Sequence, residues 1–340
     1  MKAVALLSGG LDSTLAAKLI QEQGIEIVAL HFTSPFCLCN KRSSCKVRLG
    51  FGFRNEAESA AKNLGVSLKI LNKGEELLQV IKNPKYGYGA NMNPCIDCRI
   101  LMFKKARAYM EEIGASFIIT GEVVGQRPMS QRKNIMGLIE KEAGVAGLVL
   151  RPLSAQVMPE TIPEKNGWVD RSKLLAITGR TRKPQIALAQ KYNIKDYPCA
   201  SGGCLLTDPR FSLRLKDLLK YGELNLNEIE LLKIGRHFRL SPHTKLVVGR
   251  DKEENERILR LKQANDGLLI PQDTLGPTGL LRQKTDDDQD DQIDLSSRIV
   301  ARYCDRNGKT KVKLLFSRLN VSMEKEVDPL SDETLKRLRI

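Results

Sequence analysis

The chain has 340 residues, 41% of them apolar and 28% charged, a balance that predicts a globular protein of two or three domains at roughly one per ~150 residues. No apolar run approaches the roughly 20 residues of a membrane span, and MKAVALLSGG reaches Gly and Ser too early for a signal peptide, so a cytoplasmic protein with no membrane partner is expected. Lys and Arg outnumber Asp and Glu by 55 to 40, a net charge of +15, and residues 99–220 hold 21 of the basic against 11 of the acidic side chains. Such an excess points to a polyanionic partner, because basic groups gain affinity for phosphates by releasing counterions.

In chain order, Lys2 to Leu7 (KAVALL) predicts a strand, followed by SGGLDST and a helix that ends at Gly24. Ile25 to Phe32 reads as strand, Glu56 to Leu64 as helix, Val66 to Leu71 as strand, Phe103 to Ile113 as helix and Ser116 to Thr120 as strand. Strands alternating with helices predict an α/β fold with a doubly wound parallel sheet over residues 1–220, whose ligands sit beyond the carboxyl ends of the strands. Phe211 to Tyr221 and Leu226 to Ile234 look helical. A smaller α+β domain is expected over 225–340, with the acidic stretch Thr285 to Asp294 as a solvated loop. RIVARYCDR and KTKVKLLF around Asn307-Gly308 predict a hairpin with a type I′ turn, placing Lys309, Lys311 and Lys313 on one face. Trp168 reads as core.

Ser8 to Ser13 (SGGLDS) joins a strand to a helix, where backbone N–H groups and the helix dipole form an anion site. Gly9 and Gly10 allow a phosphate close to the backbone, and Ser8, Ser13 and Thr14 bring hydroxyls. The loop lacks the GK[ST] ending of a Walker A motif. Seven of the eight cysteines cluster, as Cys37, Cys39 and Cys45, as Cys95 and Cys98, and as Cys199 and Cys204. In a reducing compartment that pattern suggests metal, cluster or sulfur chemistry rather than disulfides. The CxxC of NMNPCIDCRILMFKKA is compatible with a zinc half-site, a redox or sulfur-carrying pair, or an iron–sulfur centre. Cys37, Cys39 and Cys45 are as compatible with a second metal site as with reduced loop thiols, and Cys304 reads as a packed thiol.

SGGLDS resembles the pyrophosphate loop of the PP-loop ATPases, which cleave ATP to AMP and pyrophosphate to adenylate an oxygen. Together with TGEVVGQRPMSQ (Thr120 to Gln131), RPLSA, PETIPEKNGWVDR, GRTRKPQIALAQ and YPCASGGCLLTDPRFSLRL (Tyr197 to Leu215), the CxxC segment is similar to the tRNA thiouridine synthetases of the 4-thiouridine and 2-thiouridylase types. Lys245 to Asp273 resembles an RNA-binding module of the NFACT type. The resemblance implies an enzyme that adenylates a uridine carbonyl oxygen in tRNA and replaces it with sulfur, with uridine 8 and 4-thiouridine as the first expectation. It implies ATP and Mg²⁺ on Ser8, Gly9, Gly10, Asp12, Ser13 and Thr14, with His31, Phe32, Thr33, Gly121, Glu122, Gln126 and Arg127 in the same cleft. It also implies a [4Fe–4S] cluster on Cys95, Cys98 and Cys204, these with Asp12 being the catalytic set, and a sulfur donor that is sulfide or a persulfide carrier. Lys104, Lys105, Arg180, Arg182, Lys183, Arg210 and Arg214 are the expected tRNA contacts, and a homodimer is left open. Two alternatives stand beside this reading: a 2-thiouridylase or persulfide-dependent enzyme with the same loop, and a non-catalytic RNA-binding protein.

Overall fold

The computed structural model describes residues 1–37, 56–195, 197, 203–284, 289–306 and 308–340. The chain divides into one unit of Met1–Thr207 and another of Asp208–Ile340. The helix Pro209–Tyr221, placed with the first domain on sequence, therefore groups with the second.

In the first unit the elements are β1 (Lys2–Leu6), α1 (Leu11–Gln21), β2 (Glu26–Thr33), α2 (Glu56–Leu64), β3 (Ser67–Asn72), α3 (Gly74–Lys82), α4 (Cys95–Glu112), β4 (Phe117–Thr120), α5 (Lys133–Ala143), β5 (Val149–Leu150), α6 (Ile162–Lys165) and α7 (Lys183–Lys191). The strands form one sheet in the order β3-β2-β1-β4-β5. All of its pairings are parallel, with Val4 opposite Val28 on one side and Ile118 on the other. Successive strand side chains point to opposite faces, so apolar residues at every position bury both sides. Ala3, Ala5, Ile27, Phe117 and Ile119 pack with Leu15 and Ile20 of α1. Val4, Leu6, Leu30 and Ile118 pack with Ile100, Phe103 and Met110 of α4. Trp168 stacks on Phe117, with ring centroids 6.5 Å apart, and belongs to this core. The sheet is the expected doubly wound one.

The second unit comprises α8 (Pro209–Tyr221), α9 (Leu226–Leu232), β6 (Arg236–Ser241), β7 (Thr244–Val248), α10 (Lys252–Leu261), β8 (Gly267–Pro271), β9 (Gly279–Gln283), α11 (Gln289–Ala301), β10 (Val312–Arg318), β11 (Val321–Val327) and α12 (Asp332–Leu338). Its antiparallel sheet runs β11-β10-β8-β9-β7-β6. Leu246, Leu269 and Leu281 face Ile293, Ile299 and Val300 of α11, while Val247, Leu268 and Leu280 face Leu231 of α9 and Ile258 of α10.

Two expectations for this unit are corrected. Gln289 to Asp294 is helix rather than loop, because Asp290 and Asp291 lie in the first turn of α11, where the helix dipole favours negative charge; residues 285–288 lie outside the described residues. RIVA is the end of the same helix and not a strand, since Ile293, Ile299 and Val300 bury on the sheet with helical spacing. The hairpin lies further on, between β10 and β11, where Arg318 pairs with Val321 and Leu319 takes φ 51°. Asn307 lies outside the described residues; Lys313 is exposed between buried Val312 and Leu314, but Lys309 and Lys311 precede the strand.

Candidate nucleotide and sulfur site

The chain leaves β1 for β2 on one side of the sheet and reaches β4 on the other, so the carboxyl ends of β1 and β4 flank the point where strand order reverses. A parallel sheet opens a ligand crevice there. Beyond β1, Leu7 N–H donates to Leu30 O (2.9 Å), and the chain turns through Ser8–Gly10 into α1. Gly10 is the helix N-cap and no side chain caps this end. Its carbonyl accepts from Ser13 Oγ (2.9 Å), Thr14 N (3.2 Å) and Thr14 Oγ1 (3.1 Å), while Ser8 N–H donates to Ser13 Oγ (3.2 Å). These bonds close a compact loop around the start of an 11-residue helix, and the helix dipole there favours an anion.

Glycine is required at two positions. Gly9 has φ +79°, and a Cβ on it would lie 2.4 Å from the backbone carbon of Glu56 at the start of α2. A Cβ on Gly121, the residue after β4, would lie 2.4 Å from Ser13 N. The loop after β4 is thus seated directly on the Ser8–Ser13 turn. From it Gln126 Nε2 donates to Asp12 Oδ2 (3.1 Å), leaving Asp12 Oδ1 buried without a hydrogen-bond partner. A lone carboxylate oxygen beside an anion site fits Mg²⁺, which takes one or two carboxylates and completes its shell with substrate phosphates.

The other sequence-chosen residues of this cleft differ in environment. His31 is buried and its Nδ1–H donates to Leu7 O (2.9 Å); burial lowers its pKa, so the ring is neutral at pH 7 and ties β1 to β2. Phe32 is buried in the α4-side core, whereas Thr33 is half-buried at the strand end and Arg127 is exposed. Glu122 is 3% exposed and accepts from Arg151 Nε (3.1 Å), with Arg99 Nε at 3.5 Å. Arg151 also binds Glu140. Glu122 therefore holds Arg99, a residue of α4 whose guanidinium also feels Cys95 and Cys98 and keeps its proton against burial. This ion pair connects the loop after β4 to the thiol end of α4.

Cys95 opens α4 and Cys98 follows one turn later on the same face. Asp97, between them, accepts from the backbone N–H groups of Lys85 (3.0 Å) and Tyr86 (3.1 Å) and fixes the preceding loop. Lys73, just after β3, donates from Nζ to Cys98 Sγ (3.4 Å). The segment carrying Cys204 is stitched to both neighbours: Leu205 N–H donates to Phe36 O (2.9 Å), Met92 N–H to Leu206 O (3.0 Å) and Asn91 Nδ2 to Thr207 O (2.7 Å). Cys204 is in an isolated bridge with Cys37, and Cys98, Lys73 and Cys37 all act electrostatically on its thiol. Burial pushes its thiol up to about 11. Cys39, Cys45 and Cys199 lie outside the described residues. Among the described residues no three His, Cys, Asp or Glu side chains converge on a single metal ion. A four-iron cluster takes its thiolates from further apart than one ion does, and an all-thiol donor set suits iron–sulfur rather than a hard cation. Lys73 and Arg99 escape sequence reading; for Lys73 the usable signal was its place directly after a parallel strand.

Of the basic candidates, Arg180, Lys183, Lys104 and Arg210 are exposed. Gly179 N–H donates to Val124 O (2.8 Å), so the Arg180–Lys183 segment is attached to the loop after β4. Lys105 is paired with Glu76, and Arg214 donates to the carbonyls of Leu232 and Gly235 within the second unit, so these two are committed inside the protein.

Residues 1–160 match the family model described as "Thiamine biosynthesis protein (ThiI)", and residues 235–339 match "NFACT protein RNA binding domain". Residues 1–160 are thus similar to a ThiI-type PP-loop domain and residues 235–339 to an NFACT-type RNA-binding domain. It is 27% identical over 250 residues to a tRNA-specific 2-thiouridylase of Pseudomonas putida, covering 70% of this chain and 61% of that one. It is 31% identical over 158 residues to a probable tRNA sulfurtransferase of Methanobrevibacter smithii, covering 45% and 37%. A solved 4-thiouridine synthetase–RNA complex with bound ATP is 29% identical, covering 45% of this chain and 37% of that one with a TM-score of 0.35. The chain therefore spans less than two thirds of the length of each of these relatives. Cys204 lies beyond the range that the first family model matches.

Proposed function

We propose that this protein is an ATP-dependent tRNA sulfurtransferase that adenylates a uridine carbonyl oxygen and replaces it with sulfur, producing 4-thiouridine at position 8. The observation that carries the reading is the joining of two chemistries in one unit: an SGGLDS anion loop at the switch point of the sheet, and thiols tied to it through Glu122 and Arg99. Ser8, Gly9, Gly10 and Ser13 bind the phosphates of ATP, and Asp12 Oδ1 is the acceptor for Mg²⁺, which when bound offsets the charge of the departing pyrophosphate. The uridine oxygen attacks the α-phosphorus, pyrophosphate leaves, and the adenylated carbon becomes open to sulfur, since AMP is a far better leaving group than an amide-like oxygen. Cys95, Cys98 and Cys204 would hold a [4Fe–4S] cluster, whose contribution when bound is an iron without a protein ligand that accepts sulfide. Exposed Arg180 and Lys183 bind the RNA backbone beside the site, and the NFACT-type domain adds RNA affinity.

The Lys73 hydrogen bond to Cys98 favours a second reading, in which a thiolate at Cys98 takes part in persulfide transfer from a separate carrier. Anaerobic purification separates the two. About four irons and four sulfides per chain, lost in Cys95→Ala, support the cluster; an iron-free protein that thiolates tRNA from a persulfide donor overturns it. Nucleoside analysis of tRNA from a deletion strain decides the product, since loss of a 2-thiouridine with intact 4-thiouridine would exclude the assigned position.

A further inference from the structure

Cys37 follows β2 and pairs with Cys204 in an antiparallel bridge. The hydrogen bond between the two segments runs from Leu205 N–H to Phe36 O (2.9 Å), from the residue after one cysteine to the residue before the other. That pattern marks a non-hydrogen-bonded antiparallel pair, in which directly opposed Cα atoms lie ~4.5 Å apart and the side chains share a face. A disulfide needs Cα atoms roughly 4.4–6.8 Å apart with converging Cβ vectors, so backbone pairing alone brings the two residues into range. Both are only half-buried, leaving access to a small reagent. Cys98 is also near Cys204, but nothing in the backbone pairs those two residues.

We propose that Cys37 is the disulfide partner of Cys204, and that closing this disulfide is a redox switch that withdraws Cys204 from the sulfur site. The oxidant is a low-molecular-weight disulfide, RSSR. One thiolate of the pair attacks a sulfur of RSSR, forming a mixed disulfide and releasing RS⁻. The second thiolate attacks the protein-side sulfur, the Cys37–Cys204 bond forms and the second RS⁻ leaves. The pair loses two electrons and two protons, and RSSR becomes two RSH. A dithiol reverses the step. The consequence for thiolation rests on the proposed function; the bond itself does not, because it forms without ATP or RNA.

The test uses the reduced full-length chain incubated with oxidised glutathione, followed by peptide mapping without reductant and with fragmentation that distinguishes Cys37 from Cys39. The expected product is a Cys37–Cys204 cross-link, removed by dithiothreitol and absent in Cys37→Ser. In thiolation assays of the wild type, oxidation lowers activity at least tenfold and reduction restores it, while Cys37→Ser keeps most of its activity under the same oxidant. A Cys204 linked instead to Cys98, Cys95, Cys39, Cys45 or Cys199, or carrying only a glutathione adduct, overturns the proposal whether or not the chain thiolates tRNA. A wild-type map decides the matter even where Cys37→Ser fails to fold.

Discussion

Lys73 Nζ lies 3.4 Å from Cys98 Sγ, although the two residues are separated by 25 positions and belong to different elements. The contact is set by the sheet: Thr33 of β2 pairs with Asn72 of β3, and Lys73 N–H donates to Thr33 O (3.0 Å), so the lysine leaves the strand end facing the start of α4. An ammonium donating to sulfur makes a charge-assisted hydrogen bond, and such bonds are the strong ones. Lys73→Met, which removes that hydrogen bond, is expected to slow alkylation of Cys98 by iodoacetamide severalfold. Arg would preserve the charge, so Lys73→Arg should retain most of the rate. An unchanged rate in the Met variant would mean that the lysine is only a neighbour.

The junction of the Ser8–Ser13 turn with the loop after β4 gives a sharper expectation, because its glycines are set by contacts rather than by flexibility. A Cβ at Gly121 would sit 2.4 Å from Ser13 N and 2.5 Å from Asp12 C, both of them backbone atoms that cannot rotate away. Gly121→Ala must therefore push the loop after β4 off the start of α1 and break the Gln126–Asp12 bond. Isothermal titration should show ATP affinity reduced at least tenfold, with the far-ultraviolet circular dichroism unchanged. Asp12→Asn, which keeps the shape and removes the charge, should leave ATP binding nearly intact in EDTA and abolish the gain that Mg²⁺ brings. Equal Mg²⁺ dependence in the variant and the wild type would remove Asp12 from the metal site.

What the sequence disclosed and what it withheld follow physical lines. The parallel sheet was legible because each of its inner strands is buried on both faces and so writes a continuous apolar run, as in KAVAL and FIIT. The SGGLDS turn between a strand and a helix was legible because its glycines and hydroxyls fix the local backbone within a few residues. The helix at Gln289–Ala301 was misread because its opening acids look like a linker until the dipole they complement is known, and because Asn-Gly nearby advertises a turn. Lys73 offered only its place after a strand, while the roles of Arg99 and the Cys37–Cys204 pairing were invisible, since each depends on which elements lie side by side. No local pattern carries that information.

The Cys204 thiol titrates against its burial. In an unfolded chain it would ionise near its ordinary value of 9.0, while burial in the fold raises it to about 11. The folded state thus favours the protonated thiol, and this contribution to stability is complete below about pH 9 and is lost as the pH rises toward 11. Two outcomes follow. Alkylation of Cys204 in the native protein should rise roughly tenfold per pH unit up to about 11, whereas in denaturant it should level off near 9. Loading of iron onto the three cysteines should release protons and strengthen with rising pH, since a thiol must ionise to become a ligand. A native alkylation profile that levels off near 9 would show that Cys204 is more open than its burial implies.

Lys245 tests the second unit independently of any function. It lies on β7 and is 4% exposed, its Nζ has no hydrogen-bond partner, and its nearest anion, Asp217 Oδ2, is 3.9 Å away. Burial lowers its pKa from 10.5 to about 8, with Glu228 and Asp217 opposing the change. The lowered value means that the fold favours the neutral amine. Stability from this group is therefore complete above pH 10.5 and falls as the pH drops from there to about 8, by at most roughly 1.4 kcal/mol for each pH unit. Removing the lysine does not strand Asp217, which Arg239 holds through Nε (3.0 Å) and Nη2 (2.6 Å). Lys245→Met should accordingly stabilise the protein at pH 7 by about 1–3 kcal/mol, within the penalty for burying an unpartnered charge. Thermal melts followed between about pH 7 and 10 should show that gain shrinking as the wild-type lysine loses its proton. A Met variant that melts lower than the wild type at pH 7 would mean that the ammonium is held charged and net favourable by Glu228 and Asp217.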